Sequence, residues 1–350
     1  MPALRSLGGN GAASRDGIWL DRVVGPLGFD WLSAKVPWNI PPSVLYAVLA
    51  VLITNGLLAS YTVLTGGTLV YATNPYYLLE ILLLPAAVIG AHSLDRDYDR
   101  AMEEMNIVER TSNPEVLLEI VPRRLPWSLF GIAVGIMFLF PGPVSTYGVT
   151  AMVDNFVILP FVYAPIVVQF FTTYFAIEIL APVRLWNSDI GIDFLDPEGI
   201  GGLRPIGELI KKSYYYIAVG LVGYALITYA PFIDWGWTVS PEANLLFTSI
   251  WIVSIGGVAF GVLVLHRFMH REKREAIRQL KAELRTHITN RYDVEDYEVP
   301  DSKEATVDEL EERISRVNNT SEYPASFSIW SQLLVSIALP KGVQLLVAGL

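Results

Sequence analysis

Residues 43–65 read SVLYAVLAVLITNGLLASYTVLT, twenty-three positions without one charge. A helix needs about 20 consecutive apolar residues to cross the hydrocarbon core of a bilayer. Five further windows repeat the pattern: 76–94, 125–143, 156–186, 214–233 and 245–269. Hydrophobic residues make up 52% of the 350 positions and charged residues 17%, against about 25% charged in an ordinary soluble domain. The charges are absent from long windows rather than thinned evenly, which points to lipid. The expected fold is an all-α integral membrane protein with six transmembrane helices. A C-terminal segment, 327–350, is added as a re-entrant, interfacial or seventh spanning piece.

The basic residues orient these helices. With the N-terminus in the cytoplasm, the outer connections are 66–75, 144–155 and 234–244, and they contain no Lys or Arg. Arg96, Arg100, Arg110, Arg123 and Arg124 follow the second window, and Arg204, Lys211 and Lys212 follow the fourth. Positive charge retained on the inner side is the usual topology signal, and Trp235, Trp237, Tyr76 and Tyr77 stand where an outer aromatic belt belongs. The expected location is the cell membrane.

The organisation reads as four parts: an N-terminal cytoplasmic or interfacial segment (1–40), a six-helix domain (41–269), a cytoplasmic helical extension (270–326) and the C-terminal membrane segment (327–350). In the first part, Trp19, Leu20, Val23 and Val24 and then Phe29, Trp31 and Leu32 alternate with Asp21, Arg22, Asp30 and Lys35. This is an amphipathic piece broken at Pro26, and no signal-peptide pattern precedes it. No Gly or Pro lies between Gly261 and Pro300, so the sixth helix should continue unbroken into the cytoplasm. A second polar helix, 307–317, with Val307, Leu310, Ile314 and Val317 as its stripe, should fold back on it.

The net charge of −10 argues against nucleic acid as a partner. Together with the preference for Arg over Lys, it suggests a salt-loving host. The chain has no Cys, which excludes disulfides, thiolate catalysis and Cys-ligated metals. No nucleophile elbow or metalloprotease helix is present, and neither cofactor nor metal is expected. His266 and His270 have ligand spacing but stand beside Arg267 and Arg271, which repel a cation. His92 reads as the partner of Asp95 at a helix end.

Two carboxylates fall inside apolar windows, Glu80 and Glu178, and an intramembrane charge is a functional hypothesis by default. They read as lying at opposite ends of the membrane. Gln169, Thr172 and Thr173, with Asn55, Ser60 and Thr62, serve either helix–helix hydrogen bonding or a solvated path. Gly131/Gly135 and Gly257/Gly261 are small-residue pairs suited to close helix contact.

The most unusual string is DPEGIGGLRPIG, from Asp196 to Gly207. Gly199, Gly201 and Gly202 permit positive φ, and Pro205 can open the next helix. A Gly-rich turn before a helix can cradle an anion, but no strand precedes it and Gly-Lys-Ser/Thr is missing, so a P-loop is rejected. The segment Asp196, Gly199, Gly201, Gly202 and Arg204 reads as a tight inner loop that docks helices or binds a ligand. Here the chain resembles uncharacterised multi-pass membrane proteins of prokaryotes, of halophilic archaeal type, that carry an Asp-Pro-x-Gly-x-Gly-Gly-Leu loop. The resemblance implies no activity.

In 327–350, Gln332, Ser336, Pro340 and Gln344 recur every fourth residue, with Lys341 beside them. On a helix this is one polar stripe, facing either a pathway on an oligomer axis or the aqueous surface. The candidate pathway residues are therefore Gln332, Ser336, Lys341, Gln344, Glu80 and Glu178. The expected function is conduction of an ion or small solute by a homo-oligomer in the bilayer. The alternative is a non-conducting scaffold or sensor whose cytoplasmic helices bind a protein partner.

Overall fold

The structure is a computed structural model that describes residues 17–38, 40–67, 69, 72, 75–139, 152–229, 241–288, 299–324, 335, 338–342 and 344–345. Every regular element among them is helical. A short helix α1 (Trp19–Val24) turns at Gly25–Leu27 into α2 (Phe29–Lys35). The break falls at Pro26, as its missing amide proton requires. Then come α3 (Pro42–Leu64), α4 (Leu78–Glu104), the small α5 (Ile107–Arg110) and α6 (Pro114–Leu118), and α7 (Arg124–Leu139). The long α8 (Phe156–Asn187) precedes α9 (Arg204–Tyr229), α10 (Pro241–Leu284) and α11 (Glu304–Asn319).

Among the described residues, four helices are long and apolar enough to cross a membrane: α3, α4, α8 and the Asn244–Leu284 part of α10. They match the first, second, fourth and sixth windows. The third coincides with the shorter apolar helix α7, and its end, 140–143, lies outside the described residues. The fifth falls within α9, and residues 230–233 also lie outside. Most of the outer connections, on which orientation was argued, are outside too.

Helix α8 is the centre of the bundle. In its apolar window 61% of residues are buried, against 11% for α3, and it packs on α4, α7 and α10. Helix α4 lies between α3, α8 and α9. It continues to Glu104, ten residues past the expected end of its span, because Tyr98, Ala101 and Met102 bury one face of the charged stretch. Helix α10 runs for 44 residues as one helix. Helix α11 packs on α10 with Val307, Leu310, Ile314 and Val317 buried, so the expected hairpin is present.

Candidate functional site

π-type turns occur at Asp154–Tyr163, which leads into α8, and at Ala176–Leu180 within it. The second follows from its sequence: Pro182 has no amide proton for the Glu178 carbonyl four residues earlier, and an i→i+5 turn re-registers the ladder. The bond from the Ala181 amide to the Ala176 carbonyl has that register. Pro165 likewise withholds a donor from the Phe161 carbonyl. The Tyr46 hydroxyl lies 3.3 Å from that oxygen and 3.0 Å from the Val162 carbonyl, so a neighbouring helix supplies the missing donor.

The second wide turn carries Glu178, which is fully buried between α9 and α10. Its Oε1 pairs with the hydroxyl of Ser213 on α9, while Oε2 has no hydrogen-bond partner among the described residues. The buried Tyr214 hydroxyl has none among them either. Ser213 Oγ also lies 2.9 Å from the Ile210 carbonyl. One hydroxyl has one proton for two acceptors, so the inventory closes when Glu178 carries a proton and donates to Ser213, which donates to Ile210. Tyr174, one turn before Glu178, donates to the Ser254 carbonyl of α10 at 3.0 Å. Gly257 and Gly261 bring α10 against this turn: an added methyl at Gly257 would touch Glu178 Cβ at 3.7 Å, and one at Gly261 would strike the Glu178 carbonyl. The close-contact use of this glycine pair is thereby explained, whereas Gly131 and Gly135 meet nothing within 4 Å.

Glu80 lies in the first turn of α4, where a carboxylate suits the helix dipole. Lys212, next to Ser213, pairs with Asp97 of α4, which puts Asp97 near the level of Glu178. Seventeen helical residues separate Glu80 from Asp97, about 26 Å. The two carboxylates are therefore about 26 Å apart along the bundle.

The polar residues further along α8 hold the N-terminal segment. Gln169 Oε1 accepts from the Leu20 amide at 3.0 Å, capping an open donor in the first turn of α1, and Gln169 Nε2 donates to Thr173 at 3.0 Å. Leu20 and Val24 are buried against the bundle. His92 is not paired with Asp95: its Nε2 lies 2.9 Å from Ser43 Oγ and 3.5 Å from Asp21 Oδ2. The Ser43 amide donates to Asp21 Oδ1 at 3.0 Å. Ser, His and Asp therefore meet, but one ring nitrogen serves both partners and Ser43 is fully buried. A hydrolytic triad uses the two nitrogens separately and needs an accessible hydroxyl, so this cluster is a clasp.

Gly199, Gly201 and Gly202 adopt φ of 66°, 72° and 72°. Asp196 Oδ2 accepts from the amides of Ile200 (3.1 Å) and Gly202 (2.8 Å), and Oδ1 from Glu198 (3.0 Å). These amides are consumed inside the loop. Burial raises the Asp196 carboxyl, but the three amides and nearby Arg110 outweigh it and hold it below the usual range. Arg110 donates to the Gly191 and Met105 carbonyls, and the Ser321 amide donates to the Gly199 carbonyl at 2.6 Å. The loop thus docks on the α4–α5 corner and on the end of α11. Arg204, exposed at the start of α9, pairs with Glu198 and with Glu208.

Of the C-terminal stripe, Gln332 and Ser336 lie outside the described residues. Lys341 pairs with Gln344, and its Nζ stands 5.8 Å from the Phe247 ring centre and 5.9 Å from that of Trp251. Gln344 is buried and donates to Asn244 Oδ1 at 3.2 Å. Both residues therefore sit against the first turns of α10. His266 and His270 turn their Nδ1 atoms to Glu322, to its carbonyl and to Oε2, each at 2.9 Å.

Sequence reasoning singled out Glu178 but missed Ser213 and Tyr214, which it placed at a loop–helix boundary. Compared with family models, curated proteins and solved structures, the chain has no match.

Proposed function

We propose that this is a multi-pass membrane protein that moves protons or a small cation, as a homo-oligomer in the cell membrane, with Glu178 as the exchanging group. The observation that carries the reading is the buried carboxyl of Glu178, one oxygen unpartnered among the described residues, in a wide turn of the central helix. Groups of this kind in a membrane interior mark ion and proton paths, and π-type turns recur at functional positions. The Tyr214 hydroxyl, also unpartnered, is a second stop for a proton. The outward-facing Gly131 and Gly135 on α7 offer a face on which a second copy can pack closely.

The topology in this reading is six spans with a cytoplasmic N-terminus and a seventh crossing at the C-terminus. The seventh is supported by its two ends. Tyr323 stacks on His266 at 4.4 Å, and Lys341 lies by Phe247 and Trp251. His266 and Phe247 are nineteen residues apart on α10, about 28 Å of helix, close to the bilayer core. A scaffold or sensor is less well supported, because the apolar stripe of α11 is already buried on α10.

Proteoliposomes enclosing a pH-sensitive dye test the function. Wild type should dissipate an imposed proton or cation gradient, Glu178→Asp should retain part of that flux, and Glu178→Gln should abolish it while the protein still folds. Equal flux through wild type and Glu178→Gln would remove the proposal.

A further inference from the structure

Where α10 leaves its apolar run, Arg267, Arg271, Arg274 and Arg278 follow on successive turns of one face. Positions three and four apart on a helix stack above one another, so the four guanidinium groups form a column. They line an open cavity of about 330 Å³ with His266, His270, one acid, Glu275, and Trp186, the last aromatic of α8. Arg271 is held in place: its guanidinium lies 4.6 Å from the Trp186 ring centre and donates to the Trp186 carbonyl at 3.3 Å. Two acids are close, Glu272 at 3.1 Å from Arg271 and Glu275 at 3.9 Å from Arg278. Arg267 and Arg274 are exposed and make no ion pair among the described residues. Two guanidinium groups are thus left for an external anion, in a cavity already shaped by a third.

We infer that this cavity binds the phosphate of an anionic lipid headgroup from the leaflet facing the α10–α11 hairpin. Arginine forks match phosphate oxygens in pairs. Arg267 stands two residues past Leu265, at the level where headgroups begin, and Trp186 is a residue type that favours this layer. Basic clusters at the cytoplasmic end of a spanning helix recognise anionic lipid in this manner. The inference uses the membrane topology proposed above but not transport through Glu178.

Thermal melting of the detergent-purified full chain tests it, with short-chain phosphatidylglycerol, short-chain phosphatidylcholine and inorganic phosphate as separate additions. Phosphatidylglycerol should raise the midpoint by several degrees, and the other two should not. The Arg267→Gln/Arg274→Gln variant should melt like wild type without lipid and lose the shift. Arg285→Gln, on the same helix beyond the cavity, should keep it. Equal shifts from both lipids, a full shift in the double variant, or an equal loss in Arg285→Gln would overturn the site. A shift from phosphate alone would overturn the lipid assignment and leave a soluble anion. None of these readouts depends on flux.

Discussion

Gly261 of α10 lies against the backbone carbonyl of Glu178, with Pro182 Cγ at 3.3 Å from where a methyl would sit. Backbone and a proline ring cannot rotate away as a flexible side chain would. Gly261→Ala should therefore cost about 1–3 kcal/mol through overpacking and lower the melting temperature. Gly256→Ala, on the same helix with open space around it, should leave the melt unchanged or raise it slightly, since Gly weakens a helix interior by roughly 0.5–1 kcal/mol relative to Ala. Equal behaviour of the two variants would dismiss the tight contact.

Gln169 joins α1 to the centre of the bundle. Gln169→Leu keeps the volume and removes the acceptor for the Leu20 amide. Leaving a buried donor open costs about 1–3 kcal/mol. The expected result is faster amide exchange across residues 19–24 with little change in α10. Unaltered protection of α1 would show that apolar packing alone holds it.

Gly201 is constrained twice, by φ of 72° and by Ile192 Cγ2 at 2.5 Å from an added methyl. A side chain in the left-handed region costs about 1–2 kcal/mol, and the clash adds to it. Gly201→Ala should lower stability clearly, and Gly191→Ala, with nothing within 4 Å and no positive φ, should not. Melting of both variants side by side decides.

The α10–α11 hairpin should loosen in acid. The His270 hydrogen bond, helped by Lys273, holds the Glu322 carboxyl below its usual value. A lowered folded pKa means that the ionised group stabilises the fold above the unfolded value of about 4.3. That contribution is lost as pH falls through the lowered folded value. Amide exchange in α11 should rise on that limb, and Glu322→Gln should flatten it. A Glu322→Gln profile identical to wild type would assign the acid sensitivity elsewhere.

The long apolar helices were legible where charge was absent for a full bilayer length, as in α3, or where breakers were absent, as in the extension of α10. The continuation of α4 was not, because Asp95 to Glu104 reads as solvent-facing loop until Tyr98 and Met102 are seen to bury one side of it. Glu178 stood out as a carboxylate among apolar neighbours. Its partner Ser213 and the neighbouring Tyr214 could not, since they are ordinary residues made special only by the packing of α9 on α8. His92 was assigned to Asp95 by nearness in sequence, while tertiary contact brings it to Asp21 and Ser43. The left-handed glycines of the DPEGIGGL loop were foreseeable because no other residue takes that conformation cheaply. The loop's contact with Ser321 was foreseeable only as a docking role.

The unbroken α10 is a lever. Its 44 residues amount to a rod about 66 Å long, with the Gly261 contact as its fulcrum and the α11 hairpin riding on its free arm. Leu284 stands twenty-three residues from that fulcrum, about 35 Å, so a tilt of about 5° there carries the arm's end through roughly 3 Å. A force applied to the hairpin is delivered, with mechanical advantage, to the wide turn that carries Glu178.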